Sequence, residues 1–348
     1  MKVEELDYVL PKELIAQAPA IPRDSSRLLI CRRNSDSFET ALFKDLPGYL
    51  KSGDILVTNA ARVMPARLFG YKYPTGAKIE VFLLEPVDSP DPLNAPRYKA
   101  LLRRRRRLVA GDTVFFPEST LRVTVVGTHP EIGEDIVELT ADGDIADEIE
   151  NVGHVPLPPY IKNYEGDLER YQTVFSSVTG SVAAPTAGLH FTPELLDNLT
   201  NAGIRKAGAH LRVGWGTFSP IRAENIEDHR LHEETGALTG ETASVLNDVR
   251  KSGGRIVAVG TTMTRLLETS VDGNGVFHPY SGSTGLYITP GFNFHAVDVL
   301  ITNFHLPRTS LLALVCAFLG TEKTLKAYEF AVEEKFRFYS FGDAMLIL

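Results

Sequence analysis

The chain has 348 residues, 43% hydrophobic and 23% charged, with 44 Asp and Glu against 36 Lys and Arg and a formal net charge of −8. That length predicts about two domains and a large core, and the acidic balance excludes a protein that coats nucleic acid all over while leaving room for one basic face. Two distant cysteines, Cys31 and Cys316, give neither a disulfide framework nor metal-ligand spacing, so a reducing cytoplasm is the expected setting.

In chain order, "MKVEELDYVLPKELIAQ" is acidic and has no apolar core segment, so it does not read as a signal peptide. "PKELIAQ" predicts a short helix, and "SRLLICRR" and "DILVTN" predict strands, the second of the buried type. From Ala66 to about Asn151 the texture changes. "ARLFGYKY", "AKIEVFLLEP", "RYKALL", "DTVFF", "LRVTVVGT" and "DIVELT" are short segments rich in β-branched and aromatic residues, separated by Gly, Pro, Asp and Asn. They predict an all-β barrel or sandwich. Arg103, Arg104, Arg105, Arg106 and Arg107 lie on a connection within it. Such a run is either a solvated edge that discourages aggregation or a landing site for a polyanion.

From "GHVPLPPYI" onward strands and helices alternate. "TPELLDNLTNAG" predicts a helix started by Thr192 and Pro193 and closed by Gly203. "ETASVLNDVRKSGG" is a second helix, followed by the strand "RIVAVG"; "AVDVLITNF" is another buried strand. "TSLLALVCAFLG" is a helix from Thr309 or Ser310 to Gly320, and its apolar run, Leu311 to Leu319, is far shorter than the roughly 20 residues of a membrane span, so no membrane is expected. "EKTLKAYEFAVEEKF" is amphipathic, and "RFYSFGDAMLIL" ends the sequence. The expected architecture is an α/β domain, residues 1–65 with 152–348, carrying an inserted all-β, barrel-like domain, residues 66–151.

Several stretches place polar groups where strands end or helices begin, the usual ligand position of open α/β sheets. In "GSVAAPTAGLHFTPELL", small residues admit a ligand to the backbone and His190 precedes a helix start; a tight loop with a hydrogen-bonded His explains the same pattern. In "HLRVGWGTFSPI", Gly214 and Gly216 flank Trp215, an aromatic that either stacks on a base or simply packs. "EDHRLHEE" holds His229, His232, Glu233 and Glu234: a metal pair if helical, or an acid–base cluster. In "VGTTMTRLLE", Thr261 and Thr262 precede a helix on which Arg265 and Glu268, three apart, are placed to pair. In "VLITNFHLPRTSLLALV", Asn303 and His305 follow a buried strand, and Asp343 follows a glycine near the last strand.

Laid end to end, these stretches resemble the S-adenosylmethionine:tRNA ribosyltransferase-isomerase family of queuosine biosynthesis. The matching pieces are "ELIAQAPAIPRDSSRLL", "GDILVTNAARVMPARLFG", "GHVPLPPYIK", "ERYQTVFSSVTGSVAAPTAGLHFT", "VGWGTFSPI", "HRLHEE", "GTTMTRLLE", "VDVLITNFHLPRTSLLALVCAF" and "YSFGDAML", in order over nearly the whole chain. The resemblance implies an α/β domain with an inserted β-barrel. It implies transfer and isomerisation of the ribosyl moiety of S-adenosylmethionine, a co-substrate, onto a 7-aminomethyl-7-deazaguanine at the tRNA wobble position. Epoxyqueuosine, adenine and methionine would result, with no metal. By matching position, His190, His229, His232, Glu234 and His305 are the catalytic candidates. Thr261, Thr262, Arg265 and Asn303 would position ligand oxygens, with Asp343 also at the substrate. Gly188 and Gly214 would allow close approach. Arg62 and Arg67 would meet phosphates or the methionine carboxylate, and Arg103 to Arg107 the RNA. The sequence departs from the family at Ala60 and Ala61, where Asp and Thr are usual, and at Arg212, where His is usual. A non-catalytic or altered-substrate RNA-binding paralogue is therefore the alternative, and a metal-dependent hydrolase built on His229 and His232 a second one.

Overall fold

Apolar runs with no polar alternation must be buried on both faces, and in the computed structural model they form the centre of a mixed sheet. The structure describes residues 1–87, 95–103, 108–128, 134–162, 164–214, 216 and 221–348; Arg104 to Arg107 and Trp215 lie outside the described residues. The chain divides into two compact units, Met1–Ala61 with Pro159–Ser177 and Ala184–Leu348, and Arg62–Pro158 with Val178–Ala183.

The larger unit holds β1 (Arg27–Cys31), β2 (Phe38–Leu42), β3 (Ile55–Asn59), β13 (Arg205–Leu211), β14 (Glu234–Leu238), β15 (Ile256–Val259), β16 (Tyr280–Thr284), β17 (Val299–Asn303) and β18 (Ala344–Ile347). They form one sheet in the order β16-β14-β13-β3-β15-β17-β18-β1-β2. At its centre β13, β3, β15 and β17 run parallel, side by side. Alternate residues serve opposite faces. Leu29, Val57, Ala258 and Leu300 join one core, which also contains residues of α3 (Gly240–Lys251), α4 (Thr261–Thr269), α5 (Ser310–Leu319) and α6 (Thr321–Glu333). Leu28, Leu56, Val257 and Ile301 join the other, with Phe43, Leu46 and Leu195 and Leu199 of α2 (Pro193–Asn201). The predicted caps are present: the Thr192 and Thr309 hydroxyls accept from the N–H groups of Leu195 and Leu312. Gly203 and Gly320 adopt φ of 80° and 96°, the left-handed region that favours glycine.

In the smaller unit, β5 (Arg67–Lys72), β6 (Ala77–Pro86), β7 (Arg97–Arg103), β8 (Thr113–Phe115), β9 (Arg122–Thr128) and β10 (Asp135–Thr140) are antiparallel. Pairing of β5 with β8 closes them into a barrel. Every second residue points into its core, as Val123 and Val125 do on β9. Short β11 (Gly153–His154) pairs with β5, and β4 (Ala61–Val63) pairs with β12 (Val178–Ser181). The composition-based limits at 65/66 and 151/152 differ from the limits of the compact units. Val178–Ala183 groups with the smaller unit, where Met64 N–H donates to the Ser181 carbonyl.

Four local expectations are corrected. "PKELIAQ" makes only a single 3₁₀ turn, Lys12–Leu14. "HRLHEE" is not helical: it leaves a short 3₁₀ turn, Ile226–Asp228, and runs without regular structure into β14. Thr261 and Thr262 do not precede a helix but form the first turn of α4. The β region also contains a helix, α1 (Ile145–Val152), whose cap Asp144 accepts from Ala146 N–H at 2.7 Å. Among the described residues, no helix is long and apolar enough to cross a membrane.

Candidate active site

The parallel strands β13, β15 and β17 deliver their C-terminal ends to one cleft of about 590 Å³, its outer part continuous with solvent. Val213 follows β13, Gly260, Thr261 and Thr262 follow β15, and Thr302 and Asn303 end β17, with His305 just beyond. Tyr160, Thr186, Phe304, Thr309, Tyr339 and Ser340 complete the described polar and aromatic part of the wall. No Asp, Glu, Lys or Arg is among the described residues lining it.

His305 is the imidazole of this wall. It is buried, and its Nε2 lies 2.8 Å from Thr302 Oγ1. Its main chain is held from both sides: the N–H donates to Tyr328 Oη at 3.0 Å, and the carbonyl accepts from Tyr8 Oη. Burial lowers its pKa to about 3. The ring is therefore neutral at pH 7, with no extra proton to give and its basicity weakened by burial.

His190 occupies a different place. Its Nδ1 lies 2.8 Å from Ser26 Oγ, and its Nε2 is 3.0 Å from Asn303 Nδ2, an amide donor. Accepting at Nε2 leaves the proton on Nδ1, which donates to Ser26. Phe43 stacks on the ring at 4.9 Å. Burial, with Arg337 and Arg23 nearby, lowers the pKa to about 3. Asn303 is equally committed: Nδ2 also donates to the Tyr339 carbonyl at 3.2 Å, and Oδ1 accepts from Thr186 Oγ1 at 2.9 Å. His190 thus sits behind the wall and closes a network with Asn303 and Thr186, which line the cleft.

Two hydroxyls of the wall are not committed. Thr262 Oγ1 and Tyr339 Oη are buried with no hydrogen-bond partner among the described residues. Burial raises the Tyr339 phenol, so it keeps its proton and remains a donor. Its ring centroid lies 4.1 Å from that of Tyr160, whose Oη is 2.5 Å from Ser340 Oγ.

The remaining expected residues lie off this wall. Glu234 forms a buried ion pair with Arg265, and its Oε1 accepts from Gly214 N–H at 3.1 Å. Arg265 also donates to the carbonyls of Leu286 at 3.0 Å and Thr284 at 3.2 Å. It does not pair with Glu268, whose carboxylate accepts from the N–H groups of His295, Ala296 and Val297. Burial raises Glu268, against those three bonds. Asp343 accepts from the backbone of Arg27 at 2.9 Å and of Arg337 at 2.8 Å. Gly188 faces the Thr173 side chain, 3.0 Å from where its Cβ would be, while a Cβ at Gly214 would meet nothing. His229 is half-buried with its ring edge-on to Tyr287 at 5.6 Å, and His232 is exposed. Burial and the neighbouring His232 lower His229. Among the described residues no group of three His, Cys, Asp or Glu is placed to hold a metal ion. In the smaller unit Arg67 Nε lies 3.1 Å from Glu80 Oε1, Arg62 opens the unit, and exposed Arg103 reaches the same Glu80 at 3.9 Å.

The departures at positions 60, 61 and 212 also lie off the wall. Ala60 donates to the Ala209 carbonyl and accepts from Ser177 N–H, and Ala61 N–H donates to Asn59 Oδ1 at 3.0 Å. Both serve through the backbone. Arg212 N–H donates to the Thr235 carbonyl, and the Arg212 charge joins burial in lowering His210 to about 4. Sequence reasoning passed over Tyr160, Tyr339, Thr186, Thr302 and Ser26. Only the quoted stretches "GHVPLPPYIK" and "YSFGDAML" carried a signal for the two tyrosines.

Comparison with known proteins agrees over the full chain. Residues 3–347 match the model of the family described as "Queuosine biosynthesis protein". An S-adenosylmethionine:tRNA ribosyltransferase-isomerase of Moorella thermoacetica is 49% identical over 348 residues, covering 100% of both chains. One of Staphylococcus haemolyticus is 47% identical with the same coverage. A crystal structure of S-adenosylmethionine tRNA ribosyltransferase from Thermotoga maritima is similar with a TM-score of 0.56 and 36% identity, covering 99% of this chain and 100% of that one. With its strand-end cleft and this match from end to end, the chain belongs to the queuosine biosynthesis protein family of enzymes.

Proposed function

We propose that this chain transfers and isomerises the ribosyl moiety of S-adenosylmethionine onto the 7-aminomethyl-7-deazaguanine base of tRNA, giving epoxyqueuosine, adenine and methionine. The observation that carries the reading is the neutral His305 in a cleft at the strand ends whose described lining residues include no Asp, Glu, Lys or Arg, together with wall hydroxyls that no described residue satisfies. A sulfonium acidifies the ribose carbon next to it, and the neutral imidazole has the protonation state that a base needs there, its basicity weakened by burial. The positive sulfur also fits a wall with no cationic side chain among its described residues. His190 acts as a positioning residue, because it holds Asn303 and through it Thr186. On the RNA side, exposed Arg103 and the four arginines after it are the polyanion contact.

The non-catalytic paralogue is the weaker reading, since Ala60, Ala61 and Arg212 do not line the cleft. One assay separates them: pure protein is mixed with S-adenosylmethionine and tRNA bearing the aminomethyl base, and free adenine is measured. The wild type is expected to release adenine; tRNA binding without adenine would favour the paralogue. His305→Gln is expected to lower adenine release by about 10²–10⁴-fold with tRNA affinity preserved. Equal losses in both would make His305 structural.

A further inference from the structure

We propose that the open N-terminus of α4 is the seat of the methionyl carboxylate of S-adenosylmethionine, with Thr262 Oγ1 donating to one oxygen and first-turn N–H groups to the other. The inference rests on the reading that this compound is the co-substrate, and it assigns a part of that ligand to a part of the cleft.

Three observations converge. First, α4 has nine residues and begins at Gly260, whose φ of 91° suits glycine and which offers no side chain to cap the helix. Its first-turn N–H groups lack intrahelical acceptors and carry the positive end of the helix dipole. Second, Thr262 is 6% exposed, lines the cleft, and its Oγ1 has no partner among the described residues. A buried unpaired donor at the positive end of a helix is the complement of an oxyanion. Third, the cleft wall has no Lys or Arg among its described residues, so no side-chain cation competes for the carboxylate. The other helix starting at this cleft, α5, is already closed, because Thr309 Oγ1 accepts from Leu312 N–H.

The test compares S-adenosylmethionine with its decarboxylated analogue, which keeps the sulfonium, the ammonium and the nucleoside. Binding is measured by calorimetry on the full chain. The wild type is expected to bind the analogue at least about 30-fold more weakly. Thr262→Val is expected to weaken S-adenosylmethionine about tenfold, the worth of one hydrogen bond to a charged group, and to leave the analogue within about twofold. Thr262→Ser should restore the difference, and an unchanged melting temperature verifies the fold. Equal binding of the two compounds by the wild type, or an equal loss for both in Thr262→Val, would overturn the assignment. Loss of tRNA affinity with a flatter salt dependence, while S-adenosylmethionine binding stays intact, would also overturn it and give the site to an RNA phosphate. Adenine release is scored separately. A wild type that discriminates the two compounds yet releases no adenine would sink the proposed activity and leave the carboxylate site standing.

Discussion

The two halves of α4 hold opposite kinds of polar chemistry. In its second half, Arg265 is closed by Glu234 and two carbonyls, and Glu268 by three backbone N–H groups. In its first turn, Thr262 Oγ1 has no partner among the described residues and Gly260 supplies no side-chain cap. The formal charges near the site are sealed into the scaffold, while the cleft keeps neutral hydroxyls and an imidazole. The physics favours that division. A buried charge without a partner costs several kcal/mol, whereas an unpaired hydroxyl costs about 1–3 kcal/mol, which a fold can carry where a ligand completes the bond. Charged residues in a motif are thus the easiest to notice, and Glu234, Arg265, Glu268 and Asp343 are already spoken for.

The largest effect that tests this division is on the sealed side. Glu234→Ala would strand the buried Arg265 guanidinium and should lower folding stability by about 3–5 kcal/mol, read by urea unfolding. Should that variant fold with near-native stability and yet release no adenine, Glu234 would belong to the chemistry and the division would fail.

A smaller effect comes from acid. His190 and His305 have pKa values lowered to about 3 from an ordinary 6.5, chiefly by burial. Below pH 6.5 the unfolded chain takes up protons that the folded chain refuses. Stability is therefore full above pH 6.5 and falls as pH drops toward 3. Between pH 6.5 and 5, a window above most carboxylate titration, each imidazole contributes a loss of about 2 kcal/mol. His190→Gln should flatten the pH dependence of the unfolding midpoint in that window by its share. An unchanged slope would mean that the His190 ring is protonated or hydrated in the fold.

How much of this was legible in the sequence follows the same line. The central strands were readable because burial on both faces writes continuous apolar runs such as "ILVTN" and "VLITN". The starts of α2 and α5 were readable from Thr192 and Thr309, since capping is local chemistry. Thr261, Thr262, Asn303 and His305 stood out because a strand end running into a helix is itself a local pattern. Strands β14 and β16 were not readable: "ETGAL" and "YSGST" have few β-branched residues and owe their pairing to each other and to β13. Glu234 and Asp343 looked like site residues because nothing local discloses that Arg265, or the backbone of Arg27 and Arg337, will close them. His229 and His232 show helical spacing in a stretch that the 3₁₀ turn and β14 keep from being a helix. Tyr339 was carried only inside a family-like stretch and not singled out, for the converse reason: an aromatic in an aromatic-rich stretch signals packing, and only the fold reveals that its hydroxyl has no partner among the described residues.

Tyr339 is accordingly the place where the smallest change distinguishes most. Its backbone has φ of 73°, unusual for a bulky residue, and is pinned by the N–H bond to the Phe304 carbonyl and by Asn303 at its own carbonyl. The ring is therefore held by its neighbours, not by its hydroxyl. Tyr339→Phe removes one oxygen that no described protein group satisfies, so folding stability should move by no more than about 0.5 kcal/mol, and upward if at all. Adenine release should still fall, by about three- to tenfold, if the phenol donates to the bound co-substrate. Tyr160→Phe is the contrast: it breaks the bond to Ser340 and should lose about 1 kcal/mol of stability. Urea unfolding of both variants decides the matter. If Tyr339→Phe destabilises as much as Tyr160→Phe, the Tyr339 hydroxyl is satisfied in the resting protein, and the distinction between sealed scaffold and open cleft does not hold at its most exposed point.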